Sequence, residues 1–300
     1  MERVPQLLIA LLGVSALAFV LIHLSGDPAQ LMLPSEATDA QIRAFRHEMG
    51  FDRPLIVQYV EFMRHVVYGD FGQSLRYQQP ALRLALDRLP ATSILALAAM
   101  VVTLAVALPA GILSAQRRDT IWDVLATSGA LTGQSMPVFW VGIVLILLFS
   151  LHWRLFPTSG FGGLRHLVLP AVTLGLYTMG RMTRLIRSSV LEVMHQDYVR
   201  TARAKGAPRH AVLTVHILRN AWLPVLTLLG VEFGALLGGA VITETVFAWP
   251  GMGRLVVMAI YSRDYPVVQA AVFTIAAIFI VLNLLVDLSY ALLDPRVRYG

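Results

Sequence analysis

The chain has 300 residues, 57% hydrophobic and only 14% charged, with a mean hydropathy of +0.67 and a net charge of +6. Soluble domains carry about a quarter charged residues, so composition excludes an ordinary soluble enzyme and points to a polytopic membrane protein with little length left for a large soluble domain. Cysteine is absent, which excludes disulfides, thiolate metal sites and cysteine nucleophiles.

Six apolar runs match the thickness of a bilayer core. The first runs from about Pro5 to Leu24. Ala16-Leu17-Ala18 looks like a signal-peptidase site, but the apolar run continues through Ile22, so an uncleaved first span is expected. The others run from about Thr92 to Gln116, Val124 to Leu151, Leu167 to Ile186, Trp222 to Thr243 and Val267 to Leu292. This divides the chain into a first span (1–24), an external segment (25–91) and a five-helix core (92–300). With the N-terminus in the cytoplasm, 13 of the 24 basic residues fall in inner segments, among them Arg117, Arg187, Arg203 and Arg209. Most of the remainder lie in the long segment after the first span, where the positive-inside rule is weak. Both termini are therefore expected to be cytoplasmic, and the positive charge reports orientation rather than nucleic-acid binding.

Within 25–91, Thr38-Asp39-Ala40-Gln41 fits a capping box, followed by Ile42, Phe45 and Met49 at helical spacing and a terminating Gly50. Asp52-Arg53-Pro54 opens a second helix whose apolar face is Leu55, Tyr59, Phe62 and Val66. These short amphipathic helices are read as a cap on the membrane domain, with docking of an external partner as the functional alternative. Pro109 and Pro137 are candidate kinks in the second and third spans. Phe247-Ala248-Trp249-Pro250-Gly251 is read as an interfacial aromatic belt, or as the lining of a pathway mouth.

Catalytic chemistry is missing. The sole lysine, Lys205, lacks a P-loop around it, and neither His-Glu-x-x-His nor Gly-x-Ser-x-Gly occurs. Asp287 has no partner aspartate at similar depth and is read as a structural hydrogen-bonding group. Glu232 sits near the middle of the fifth span, where an ionised group costs at least a few kcal/mol. It is a functional candidate that lines an aqueous path, binds a cationic group or is neutral. Gly230, Gly234 and Gly238 recur every four residues on the same span, a stripe that serves close helix packing or a narrow pore lining.

A polar stretch from about 188 to 221 separates the fourth and fifth spans. Tyr198 to Lys205 favours helix, Gly206 is a C-cap, and Ala207-Pro208 opens a second helix, so two short helices meet at a sharp corner. Such a corner inserts into a groove of a soluble partner, or lies on anionic headgroups.

The run Tyr198-Val199-Arg200-Thr201-Ala202-Arg203-Ala204-Lys205-Gly206, followed by His216-Ile217-Leu218-Arg219-Asn220-Ala221 and Pro224, closely resembles the cytoplasmic loop of ABC importer permeases of the dipeptide/oligopeptide/nickel branch. Gly26-Asp27-Pro28, Gly69-Asp70-Phe71-Gly72, Phe247 to Gly251, Arg263-Asp264-Tyr265-Pro266 and Asp294 to Tyr299 extend the resemblance over nearly the whole chain. The resemblance implies an all-α fold of six transmembrane helices, the type I importer permease fold, in a bacterial inner membrane. It implies a non-catalytic subunit with no cofactor of its own, ATP and magnesium being held by two ABC ATPase subunits. A second permease subunit and an external solute-binding protein complete the assembly, and short peptides, glutathione-like ones included, are the expected cargo. Nickel or metal-chelate import is the alternative within the branch, and a stand-alone secondary transporter the alternative outside it. Tyr198 and Ala202 would give apolar contact to the ATPase, and Arg200, Arg203 and Lys205 would pair with its acids. Where the wider superfamily carries Glu-Ala-Ala before the loop glycine, this chain reads Arg200-Thr201-Ala202, so the missing glutamate's role is not carried over.

Overall fold

A computed structural model describes residues 3–24, 29–30, 33, 37–48 and 50–293. The described residues are helical, with a lone antiparallel bridge between Gln73 and Pro80. The motifs at 26–28 and 294–299 lie outside them, as do the side chains of Met49 and Asp287.

The helices are α1 (Arg3–Leu24), α2 (Asp39–Glu48), α3 (Leu55–Val67), α4 (Ala81–Gln116), α5 (Ile121–Ser135), α6 (Val138–His152), α7 (Leu164–Met194), α8 (Asp197–Ala204), α9 (Arg209–Val246), α10 (Met252–Tyr261) and α11 (Tyr265–Leu293). The first, second, fourth, fifth and sixth expected runs each fall on one helix, and the third falls on two, α5 and α6. By length and apolarity, α4, α9 and α11 each suffice to cross a membrane, and α5 with α6 does so as a pair bent by 105°. The bend falls at Met136-Pro137, where proline lacks an amide donor and forces the preceding residue out of the helical region. At Pro109 the helix runs on unbroken.

The described residues up to Thr92, with Pro250–Val281, form one compact unit, and Ser93–Trp249, with the described residues from Leu282 on, form another. In the first, the expected capping box is present: Thr38 N–H donates to Gln41 Oε1 (2.9 Å) and Gln41 N–H to Thr38 Oγ1 (3.4 Å). Gly50 follows with φ +71°. The exposed Asp52 carboxyl is held below the usual carboxylate range, chiefly by its 2.7 Å hydrogen bond with His47. On α3, Val66 is buried and Tyr59 and Phe62 are half-buried, but Leu55 at the first turn stays 58% exposed. Tyr59 packs edge-on against Phe19 and its hydroxyl meets Ser15 (2.8 Å), so α3 lies along α1. Rings continue through Phe62 and Phe71 to Phe273 of α11. Beneath them Ala81, Ala85, Met252, Leu255, Val267 and Ala270 form the unit's core.

One carboxylate organises the turn between α3 and α4. Asp264, 1% exposed, accepts from Ser74 Oγ (2.5 Å), Leu75 N–H (3.1 Å) and Arg76 N–H (3.3 Å). Ser74 Oγ in turn accepts from Tyr77 N–H (2.9 Å). Removing a buried acceptor strands several donors at once. Asp264→Ala should therefore raise amide hydrogen exchange at Leu75 and Arg76 by about tenfold or more, with exchange at Ala85 unchanged.

Candidate functional site

The second unit contains the corner and the acid that the sequence singles out. In α8 an amphipathic pattern turns Val199 (0% exposed) and Ala202 (9%) inward. Tyr198, Arg200, Thr201, Arg203, Ala204, Lys205 and Gly206 face out. Ala202 therefore packs against its own chain and is not available for the partner contact expected of it. The Tyr198 ring is 42% exposed, while its hydroxyl accepts from Asn220 Nδ2 at 2.8 Å. Arg200 lies 3.7 Å from Asp197, both well exposed.

The corner is a complete Schellman motif. Gly206 N–H donates to Arg203 O (3.0 Å), Ala207 N–H donates to Ala202 O (3.2 Å), and Gly206 takes φ +79°. That conformation suits glycine and costs other L-residues about 1 kcal/mol or more. The second loop helix is not short, as expected, but is the start of α9, which runs from Arg209 to Val246 without a break. Residues Val212–Leu218 form a π-helical stretch within it. The extra residue per turn changes helical register without ending the helix. Val199 joins Val212, Ile217, Ala221 and Val225 in a buried cluster with Met182, Ile186 and Val190 of α7. The corner is thus packed onto the helices it connects. Beside it lies a groove of about 800 Å³ lined in part by Arg117, Arg203, Arg209 and His210.

Helix α7 carries arginines at 181, 184 and 187, on one face at helical spacing. Arg187 makes a bidentate pair with Asp123 (Nε–Oδ1 2.7 Å, Nη2–Oδ2 2.8 Å). Asp123 also accepts from Ser114 Oγ (2.5 Å) and Asp119 N–H (3.0 Å), which ties α4, α5 and α7 together. Arg184 Nη1 donates to Gln134 Oε1 (3.1 Å). Arg181 Nη1 lies 2.6 Å from Glu232 Oε1, and Thr178 Oγ1 donates to Glu232 Oε2 (3.0 Å). Glu232 is 2% exposed, so it is not an open pathway acid but the buried end of an ion pair between α7 and α9. The pair is a charge contact at a poor hydrogen-bonding angle, and Oε1 has no aligned donor among the described residues.

The helices meet closely enough to need glycine at Gly180, where an added Cβ would strike Ala130 O of α5. The stripe on α9 divides. A Cβ at Gly230 would collide with Val286, and Gly234 is buried, but Gly238 and Gly239 are exposed and face open space. Packing thus accounts for the start of the stripe and not for Gly238. Phe247 (1% exposed) and Trp249 (2%) are buried, with Trp249 4.8 Å from Phe161 and Phe247 O accepting from Gly160 N–H at 2.9 Å. They form core, neither belt nor mouth.

The second unit thus joins apolar helices through internal ion pairs and carries an exposed basic corner. Residues 107–299 match the family described as "Binding-protein-dependent transport system inner membrane component". Residues 1–96 match its companion, "Binding-prot-dependent transport system membrane comp, N-term". The chain belongs to this family of transport permeases. It is 39% identical to the dipeptide transport system permease protein DppB of Escherichia coli K12, over 100% of this chain and 98% of that protein. It is 41% identical to a putative peptide transport system permease protein of Brucella abortus, with the same coverage of both chains. Among solved structures, an amino acid ABC transporter crystallised with histidines shares the fold (TM-score 0.53, 16% identity), covering 72% of this chain and 94% of that one.

The clamp at Asp123 has a testable energetic signature. Leaving one member of a largely buried ion pair alone is worse than removing both. Asp123→Asn and Arg187→Met should each destabilise the detergent-solubilised protein by about 3 kcal/mol. The double variant should recover a third or more of that loss, read as monodisperse protein surviving a heat challenge.

Proposed function

We propose that this chain is the peptide-translocating permease subunit of an ATP-driven importer, and that energy enters it mechanically at the Gly206 corner. The observation that carries this reading is the union of an exposed basic corner with one unbroken helix. A displacement imposed on α8 passes through the packed cluster around Val199 into α9, which carries Glu232. In this reading both termini and the corner face the cytoplasm. Two ATPase subunits hold ATP and magnesium, a second permease subunit (a paralogue) completes the pathway, and an external solute-binding protein delivers cargo. Arg200, Arg203 and Lys205 meet acidic groups of the ATPase groove, the Tyr198 ring edge adds apolar contact, and the basic groove beside the corner enlarges the attractive surface. Peptide cargo follows from the relatives named for dipeptide and peptide transport.

ATP-driven closure of the ATPases moves the corner, α9 follows, and the Arg181–Glu232 contact joins α7 to that motion. Buried ion pairs and packed interfaces have discrete arrangements rather than continuous ones, which suits a switch between outward and inward access.

Proline fixes φ near −65° and cannot adopt the +79° of Gly206. In the reconstituted complex, Gly206→Pro should abolish uptake and free ATP hydrolysis from its dependence on loaded binding protein, with membrane insertion intact. Gly206→Ala, strained by about 1 kcal/mol, should retain partial uptake. Full uptake by the proline variant contradicts the coupling role. Uptake by the chain without any ATPase subunit supports a stand-alone carrier instead.

A further inference from the structure

Of the α7 arginines at 181, 184 and 187, two face carboxylates and one does not. Arg187 is paired with Asp123 and Arg181 lies against Glu232, whereas among the described residues Arg184 bonds only the neutral amide of Gln134. Among the described residues no carboxylate lies within ion-pair distance of Arg184. All three line a cavity of about 690 Å³, together with the polar side chains of Thr127, Gln134 and Ser188. The wall thus holds three guanidinium groups, two of them facing the buried carboxylates of Asp123 and Glu232, which do not line the cavity themselves.

We propose that Arg184 is the docking point for the C-terminal carboxylate of the peptide as it passes through this chain. The assignment rests on the peptide reading above. A guanidinium has five N–H donors in a planar fork, and Gln134 takes one of them. Arg184 is exposed and lines the cavity, and among the described residues its guanidinium makes no other hydrogen bond. A carboxylate is the group that such a fork binds bidentately. The excess positive charge rejects the other end of the peptide: an ammonium in the same cavity would meet Arg181, Arg184 and Arg187 at successive steps of about 4.5 Å along the helix. A free divalent cation is disfavoured for the same reason. The cavity exceeds a dipeptide in volume, and one charged contact leaves side-chain identity unread. Binding by the common carboxylate is the economical way to pass many sequences.

The test uses the complete complex, reconstituted with its binding protein loaded to matched occupancy with Ala-Ala or with the C-terminal amide of Ala-Ala. The wild type should move Ala-Ala about tenfold faster than the amide, the scale of one charged hydrogen-bonded contact. Arg184→Gln should move both at the amide's rate, and Arg184→Lys should restore part of the preference. The Arg184→Gln complex should elute as the wild type does and keep its defect in liposomes of neutral lipid only. Equal slowing of both substrates by Arg184→Gln overturns the assignment in favour of a structural bond to Gln134. So does loss of the complex, which makes Arg184 a subunit contact, or disappearance of the defect in neutral lipid, which gives the site to an anionic headgroup. A wild-type complex that moves amino acids or metal chelates but no peptide overturns the peptide reading itself, and this assignment with it.

Discussion

Buried charge inside an apolar helix bundle is stable only when matched, and the rest of this structure is arranged around that constraint. Taking a guanidinium out of water costs several kcal/mol unless a carboxylate and further hydrogen bonds compensate. Arg187 obtains this from Asp123, which is itself held by Ser114 and the Asp119 amide. Because the three partners sit on α4, α5 and α7, the requirement to satisfy one arginine fixes the mutual placement of three helices. Glu232 meets the same requirement through Arg181 and Thr178, and so joins α9 to α7. These ties do what apolar packing alone does poorly in lipid, where there is no hydrophobic drive to bring helices together.

The corner at Gly206 gains its meaning from what lies behind it. A loop hinged on free linkers would dissipate a push. Here Val199 and Ala202 are buried, the Tyr198 hydroxyl is bonded to Asn220, and α9 leaves the corner as a single helix through its π-helical stretch. The exposed face of α8 carries the basic residues while the inward face is welded to the bundle. Both properties come from one eight-residue amphipathic helix. In the proposed cycle this is the feature that turns movement of a soluble partner into movement of the buried Glu232.

Features set by local chemistry were legible in the sequence. The Thr38–Gln41 capping box, the break at Pro137 and the glycine corner each depend on residues a few positions apart, and the structure contains all of them. Family membership was legible for the same reason, since its motifs are short and contiguous. Features set by distant partners were not. The tie of Asp264 to Ser74 spans 190 residues, and nothing near Asp264 announces it. Arg187 enters the sequence reading only as an inner charge marking orientation, although the spacing of Arg181, Arg184 and Arg187 on one helical face is visible there. Phe247 and Trp249 were read as interfacial because aromatics beside Pro-Gly usually are; burial against Phe161 and Gly160 decides otherwise. Gly238 kept the period of the stripe but not its contact. Continuity of α9 past Arg209 was missed because Pro208 signals a helix start, and no residue signals where that helix should stop.

The central claim is that α8 and α9 move as one body. The chain has no cysteine, so spin labels at Thr201→Cys and Val231→Cys, both exposed positions, report a single distance across the corner. Measured in the assembled complex without nucleotide and with ATP trapped, that distance should stay constant while labels between the corner and the ATPase subunit remain in contact range. A change larger than one helical turn, about 5.4 Å, between the two states would mean that the corner flexes instead of transmitting, and would contradict the account.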